Sequence, residues 1–594
     1  VGVVADLPLA GSPIQIGTRG RFQGDSFTVT GRIVYEYEHG TWNEWHVVFG
    51  DDSSGWLSDA QAEYAVSRLV RKPGKIPAAN ELEVGHEYAF GDLTLQLTTV
   101  TRARYRGVEG ELPFEYWDKD EVVFADLRTS DGHFATIDYS ETPPLLFLGA
   151  FARFDELELR DLRPVGSGPE AKTAGFNCRN CGAAIELRAV ELTKSVACTS
   201  CAAIQDPNDP NVLILQEAQA RERYVPKIPL GTRGTWHGHP YEVVGFQYRY
   251  IVVDDEQYGW DEYLLFNREQ GFRYLSEYQG HWNDIETLRA VPASTSSGGR
   301  PAARYDGKTF RLFQTASATT DYVLGQFPWR VRAFDVAGTS DYVAPPLMLS
   351  AERTDDETTW SLGEYTPGDA IWKAFELPGR PPRPVGIFAN QPSPYKGRVA
   401  WYWAVFATLA LLAIVAGVVR AATAARETVF AGSYEFRPAA IDSSFVTPTF
   451  TVSRAANLEL TITTNLTNNW VYFNFALING DTGDALDFGR EVSYYYGRDS
   501  DGAWSEGSAV DVATLLAVPA GTYYLRVEPE AGSQTPVVYS LKVRRDVPSA
   551  VYYVLAVIVL LIPPVFVSIR AMAFETARWQ ESDFATGDDD DDDD

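Results

Sequence analysis

The sequence predicts a mainly β chain: two repeated antiparallel β modules around a zinc ribbon, two transmembrane helices, and an extracytoplasmic β-sandwich. Three observations carry this. Aromatic and turn-forming residues are abundant, with 31 Phe, 15 Trp and 31 Tyr beside 48 Gly and 34 Pro, a composition that favours strands and tight turns over long helices. A set of short motifs recurs about halfway along the chain, and two long uncharged runs interrupt the alternating pattern near its end. A length of 594 residues implies several domains, and 45% hydrophobic residues can fill their cores, which excludes global disorder. Lys+Arg 51 against Asp+Glu 80 gives a net charge of −29. Such a surface repels phosphate backbones, so nucleic acid is excluded as the main partner.

The opening stretch, VGVVADLPLAGSPIQIGTRG, has no basic residue before Arg19 and no apolar run of signal-peptide length, so no secretory signal is expected in it. The first β repeat is predicted over 14–165 and the second over 226–390. Ile16-Gly-Thr-Arg-Gly20 opens one and Leu230-Gly-Thr-Arg-Gly234 the other. Trp42-Asn-Glu-Trp45 with Gly55-Trp56-Leu57 parallels Trp260-Asp-Glu-Tyr263 with Arg273-Tyr274-Leu275, and Gly110-Glu-Leu-Pro-Phe114 parallels Gly325-Gln-Phe-Pro-Trp329. The offset is 214 at the opening motif (234 − 20) and 215 at the last (325 − 110), so one unit is duplicated. Alternation with period two, punctuated by Gly and Pro, predicts antiparallel strands in each unit, as a small barrel followed by a sandwich-like half. Most strand aromatics are expected in cores.

Between the repeats, over 174–210, all four cysteines fall in two pairs: Cys178-Arg-Asn-Cys181 and Cys198-Thr-Ser-Cys201, sixteen residues apart. Each CxxC lets two sulfurs reach one ion from a tight turn, and two such turns complete tetrahedral Cys₄ zinc. Gly182 follows the first pair as zinc knuckles prefer, whereas Ala202 follows the second. Four protein ligands leave no open position for water, so the zinc is expected to be structural. No basic stripe with aromatics accompanies the ribbon, which argues against capture of single strands.

The uncharged runs Val399–Val419 (399–419) and Ala550–Ile569 (550–569) are each long enough, at about 1.5 Å per residue, to cross about 30 Å of hydrocarbon. Trp401, Trp403, Tyr552 and Tyr553 suit an interfacial belt, and Pro563 with Pro564 is expected to kink the second helix. Basic flanks balance: Lys396 and Arg398 stand on one side of the first run, Arg420 and Arg426 on the other. The cysteine cluster needs a reducing compartment, so the large N-terminal part is expected in the cytoplasm and, with two passes, both termini. The segment 427–545 then lies on the far side. It alternates as a sandwich should, and acidic turns at Asp481, Asp484, Asp487, Asp499 and Asp501 are more readily solvated than calcium-binding, lacking EF-hand spacing. The segment 570–594 is expected to be a cytoplasmic acidic tail, and its end, Gly587 with Asp588–Asp594, reads as solvated and disordered.

No GxSxG elbow, GxxxxGK[ST] loop, helix-opening GxGxxG or HExxH occurs, so no catalytic residue is assigned. His237-Gly-His239 is the one close histidine pair; on a strand both would face one side, as a surface pair. A rival reading is an enzyme subunit with its pocket between the repeats, using a pair such as Asp254 and Asp255, or Glu256 with His281. GPEAKTAG, PASTSSGGRPAA and ELPGRPPRPVG read as linkers.

The two GTRG-to-WL segments, the CRNC to CTSC ribbon, and the stretches GQFPWRV, YVAPPLMLSAE, TTWSLGEY and NQPSPY together resemble the bacterial domain-of-unknown-function family 4178, roughly from Ile16 to Tyr395. The resemblance implies a bacterial membrane-associated protein without an assigned activity. It also implies neighbours among membrane-stress proteins: phage-shock-type coat proteins, small multi-span partners and spermidine-synthase-like enzymes. It transfers no catalytic residue. The chain is therefore expected to be a two-pass scaffold or sensor of the bacterial cytoplasmic membrane, in contact with the lipid bilayer and with protein partners of a membrane-stress or envelope-associated complex.

Overall fold

The computed structural model describes residues 12–38, 40–114, 121–163, 175–188, 193–207, 214–216, 224–438, 444–500 and 502–585. The chain divides into two units, Val1–Pro394 with Met572–Asp594, and Tyr395–Ala571. Asp501 and the acidic run Asp588–Asp594 lie outside the described residues.

In the first unit each repeat is a closed eight-stranded antiparallel barrel. The first runs through strands Asp25–Tyr37, Gly40–Phe49, Ser54–Ala60 and Glu63–Leu69, passes to Leu145–Ala152, returns through His133–Asp138 and Val122–Arg128, and closes where Leu93–Gly110 pairs with Asp25–Tyr37. The second follows the same route through His239–Val253, Glu256–Asn267, Gly271–Tyr278, His281–Thr287, Thr358–Thr366, Leu347–Arg353, Val336–Ala344 and Lys308–Phe327, which closes on His239–Val253. The expected barrel followed by a sandwich-like half is thus corrected to one barrel per repeat. The strands read as a sandwich complete the ring, because closure alone leaves no unpaired edge.

Glycine sets the seam. Gly31 is in register with Gly110, and Gly245 with Gly325. Gly110 and Gly325 take φ of 76° and 86°, and a Cβ on Gly31 would lie 2.2 Å from the carbonyl oxygen of Glu111. Two backbones meet there more closely than any side chain allows. Phe27, Val29, Trp45, Val47, Leu57 and Val66 form one buried cluster of the first repeat, with Ile14 and Leu157, and Leu95, Leu97, Leu127, Ile137 and Leu146 form another. In the second barrel Phe246, Tyr263, Leu275 and Trp282 pack with Ile371 of the short helix α1 (Gly368–Ala374) and with Phe375.

Two segments expected as linkers are corrected. PASTSSGGRPAA forms most of a hairpin, Ala293–Ser297 with Arg300–Tyr305, turned at Gly298 and Gly299, whose φ values of 62° and 80° suit a tight hairpin turn. ELPGRPPRPVG lies against the second barrel, where Val385 N–H donates to the Gln279 carbonyl at 3.0 Å. GPEAKTAG lies outside the described residues up to Ala174.

The second unit holds most of the two long helices and the domain between them. Helices α2 (Arg398–Thr423) and α3 (Val551–Trp579) are long and apolar enough to cross a membrane. α3 continues through Pro563 and Pro564. Trp403 donates its indole N–H to Ser568 Oγ at 3.1 Å, and Gly417 lies against the Tyr553 ring, so the helices run antiparallel. The intervening domain is a sandwich. One sheet is ordered Glu427–Phe436, Val537–Arg545, Ala456–Thr464, Val510–Val518, and the other is built on Gly521–Ala531, Asn469–Asn479 and Ala485–Asp499. Val471, Phe473, Phe475, Leu541 and Tyr539 fill the space between them.

The solvated, disordered end expected at Gly587–Asp594 lies outside the described residues. From Met572 the last turns of α3 and the residues to Ala585 belong to the first unit. Arg578, 1% exposed, donates to the carbonyls of Ala389 and Gln391, both at 2.7 Å, and of Phe388 at 3.3 Å. Trp579 packs on Phe313, and Asp583 accepts from Thr315 N–H at 2.7 Å.

Candidate metal centre and barrel interiors

The two CxxC turns are built alike. Gly182 N–H donates to the Cys178 carbonyl and Ala202 N–H to that of Cys198, each at 2.7 Å. Gly182 has φ 77° and Ala202 φ 58°, so the alanine adopts the left-handed conformation that its knuckle requires, at a cost of about 1 kcal/mol. Strand Ser195–Ala197 pairs with Ile204–Gln205 and with the Gly325–Phe327 end of the second barrel's seam strand, which fixes the second knuckle to that barrel.

All four sulfurs are free thiols within 4.8 Å of one another. Cys178 and Cys201 Sγ are 3.6 Å apart, Cys181 and Cys198 Sγ 3.8 Å. A tetrahedron with metal–sulfur bonds of about 2.3 Å has edges of about 3.8 Å, whereas a disulfide needs about 2.05 Å. The spacing therefore fits one tetrahedral ion. Gln205 Nε2 donates to Cys178 Sγ at 3.1 Å and Ser200 N–H to Cys198 Sγ at 3.4 Å. Burial pushes the Cys178 thiol up, but the N–H groups of Cys181 and Asn180 outweigh it and bring it down to about 6. Burial raises that of Cys198. Among the described residues this is the one group of three or more His, Cys, Asp or Glu side chains disposed to hold a metal.

The model of a domain of unknown function, DUF4178, matches the chain at residues 15–153 and again at 229–368. The chain thus carries two copies of the DUF4178 domain. Each match covers most of one barrel, and the four-cysteine cluster sits between them. No curated protein matches the chain.

Superposing the registers of the two DUF4178 barrels aligns their interiors. Ile33 pairs with Glu44 as Gln247 pairs with Glu262, Tyr35 with Trp42 as Arg249 with Trp260, and Phe124 with Asp138 as Thr339 with Glu352. Likewise Asp126 faces Thr136 as Asp341 faces Ser350. Both domains thus carry a Trp–Glu pair and two further acids on the inner wall.

In the second domain one cation answers them. Arg249, buried, donates to both carboxylate oxygens of Glu352, at 2.6 and 3.1 Å, reaches Glu262 at 3.4 Å, and lies 5.8 Å from the centre of the Trp260 ring. Burial alone would raise the Glu352 carboxyl, yet the guanidinium holds it below the ordinary range. Asp341, also buried, is raised to about 6.

In the first domain the Arg249 position is Tyr35, which stacks on Trp42 at 4.9 Å. Glu44 accepts from Ser58 Oγ at 2.8 Å and Trp42 Nε1 at 3.0 Å. Burial raises its carboxyl to about 8 in spite of those donors, so it holds a proton at neutral pH. Burial raises Asp126 too. These groups line a cavity of about 480 Å³ with Tyr105, Phe124, Phe134 and Phe147 in its wall. A larger cleft of about 1670 Å³, lined by both barrels, shares Tyr37, Gln61, Thr101 and Glu357 with that cavity.

Other candidates from the sequence are placed differently. His237 and His239 flank a turn and do not share a strand face, and His237 Nε2 bonds Asp284 at 2.6 Å. His281 is buried against Tyr365 OH at 3.1 Å and the Val385 carbonyl at 3.0 Å; none of its hydrogen bonds is to Asp254, Asp255 or Glu256. Asp481 accepts from Thr522 N–H of strand Gly521–Ala531, and Asp484 from Thr482 Oγ1 within its own turn. The interior acids were missed, although the aligned Trp42-Asn-Glu and Trp260-Asp-Glu motifs contained one of them: on a strand the Glu shares the Trp face.

Proposed function

We propose that this duplicated DUF4178 protein is a two-pass, membrane-anchored scaffold or sensor, non-catalytic, with one structural zinc held by Cys178, Cys181, Cys198 and Cys201. The single observation that carries the reading is the seat of Arg578. Residues after the second apolar helix are buried against the Phe388–Gln391 segment, which precedes the first. A chain whose two ends fold together has crossed a bilayer an even number of times. Thiolate ligands favour the reducing cytoplasm for that common side, which would put the sandwich on the far side of a bacterial cytoplasmic membrane. Soluble domains on both faces, joined by spans poor in polar residues, suit connection better than transport. The expected partners are the lipid bilayer and proteins of a membrane-stress or envelope-associated complex.

In intact cells, a cysteine placed at Ser433 is expected to react with a membrane-impermeant thiol reagent while Cys198 does not; the reverse pattern would overturn the topology. The cleft between the barrels favours a second reading, a subunit of a membrane enzyme complex. Turnover by the purified chain would select it.

A further inference from the structure

We propose that Lys227, Asp261 and Glu277 form an intramolecular isopeptide cross-link, an amide between Lys227 Nζ and Asp261 Cγ made with Glu277 as the proton carrier. The proposal stands apart from the membrane and zinc readings, since it concerns three side chains of the second barrel.

Asp261 and Glu277 stand directly opposite each other on the paired strands Glu256–Asn267 and Gly271–Tyr278, and their side chains are 10% and 4% exposed. Like charges placed so repel. The segment that leads into the barrel answers them, for Lys227 Nζ donates to Asp261 Oδ2 and to Glu277 Oε2, each at 2.5 Å. The surroundings fix all three groups. Lys227 N–H donates to Tyr263 OH at 2.9 Å, Gly280 N–H donates to Glu277 Oε1 at 2.6 Å, and the next residue, Ile228, is buried in one cluster with Tyr241, Phe246 and Trp282. An amine and a carboxyl held in contact have the effective concentration that a bimolecular condensation lacks. An apolar surrounding also disfavours ions relative to the neutral amine and acid from which an amide forms.

The first barrel shows that the fold itself does not need this trio. Asn43 follows Trp42 as Asp261 follows Trp260, and Asn43 pairs with Asp59 as Asp261 pairs with Glu277. The lysine's place falls on Pro13 (227 − 214 = 13). There Arg32 donates to Asn43 Oδ1 at 2.8 and 2.9 Å, and Asp59 accepts from Trp45 Nε1 at 3.4 Å. Neither proline nor a guanidinium supplies an amine nucleophile. Three positions thus differ together between the copies. In the second they bring an amine, a carboxyl to receive it and another carboxyl within reach of the amine's proton.

In the reaction Glu277 takes a proton from the Lys227 ammonium, and the freed lone pair attacks Cγ of the protonated Asp261 carboxyl. Glu277 returns that proton to the departing hydroxyl as the C–O bond breaks, and it then takes the second proton from nitrogen. One N–C bond forms, one water leaves, and Glu277 ends protonated, with no oxidant or other reactant consumed. Burial lifts the Asp261 carboxyl above its ordinary range, which favours the protonated acid. Burial would lower the Lys227 ammonium, yet its hydrogen bonds to Asp261 and Glu277 outweigh that and raise it. The neutral amine is therefore a minor form, which a bond made once in the life of each chain tolerates. The Lys227 side chain is 37% exposed, so the released water has a way out.

The test is the intact mass of the purified full chain in detergent, followed by peptide mapping. The expected mass is one water below that of the sequence, with a branched peptide joining the segments that hold Lys227 and Asp261. Lys227→Arg keeps the charge without the amine, and Glu277→Gln keeps the shape without the proton carrier. Both variants are expected to show the full sequence mass and no branched peptide, with circular dichroism unchanged. If either fails to fold, the parent's branched peptide decides alone. A parent at the full sequence mass overturns the proposal. So does a one-water deficit that persists in folded Lys227→Arg, since dehydration at an Asp-Gly step such as Asp306–Gly307 gives the same mass. Undiminished cross-linking in Glu277→Gln overturns the role given to Glu277.

Discussion

Glu44 shows how one carboxyl can weaken a fold that it helps to line. Its ordinary value of 4.5 rises to about 8 in the barrel, chiefly through burial. Between those values the folded protein keeps a proton that the unfolded chain has lost, so stability falls as pH climbs from about 4.5 to 8 and levels off above, by at most about 1.4 kcal/mol per unit. Glu44→Gln removes this dependence. The denaturation midpoint of the variant is expected to gain on the parent between pH 5.5 and 8, and a constant gap would rule the assignment out. At the candidate metal centre, if the proposed zinc is bound, Cys181→Ser is expected to lower it from one per chain to near zero by elemental analysis and to loosen the knuckles, since closed thiolate sites gain their order from the ion. The cysteines were legible because ligand chemistry is written in spacing. Glu44 was not, because a Glu beside a Trp on a strand has the same letters whether it faces water or a cavity.

The strand and the helix end carry different lessons. Barrel closure depends on Gly31 meeting Gly110 and Gly245 meeting Gly325, pairs some eighty residues apart (110 − 31 = 79; 325 − 245 = 80). Period two announces strands but not which strand returns to the first, so closure was hidden although both Gly110 and Gly325 stood in the repeated motifs. Gly31→Ala would push a methyl group into the Glu111 carbonyl. It is expected to cost at least about 2 kcal/mol, seen as a lower thermal midpoint. The Ser- and Gly-rich hairpin at Ala293–Tyr305 was misread because linkers and two-glycine turns share a composition. No motif in the sequence singles out Arg578, yet it is 1% exposed and serves three carbonyls. Arg578→Met leaves those carbonyls without their charged donor, an expected cost of about 2 kcal/mol or more. Faster amide exchange at 388–391 and 572–585 would register it.

On the scale of the whole molecule, duplication has produced two barrels with one plan and different interiors. The second neutralises its acids internally through Arg249, while the first leaves Glu44 and Asp126 with raised affinities for protons around open space. The repeat motifs and the apolar runs made the plan legible, because duplication and bilayer thickness both leave marks at fixed intervals. The divergence between copies was not legible, since it lies in single inward positions such as Tyr35 against Arg249.

The seat of Arg578 also bears on the order in which the molecule is made. A ribosome delivers the second barrel long before residue 572 leaves it, so this barrel first folds with the Phe388–Gln391 carbonyls and the Phe313 face uncovered. If the two helices span a membrane as proposed, only a chain whose sandwich has crossed and whose second helix has been inserted would bring Arg578 and Trp579 back to cover them. Under the proposed two-pass topology, the end of α3 would close that face only after insertion, and a chain halted before it would keep the face open to proteases and chaperones.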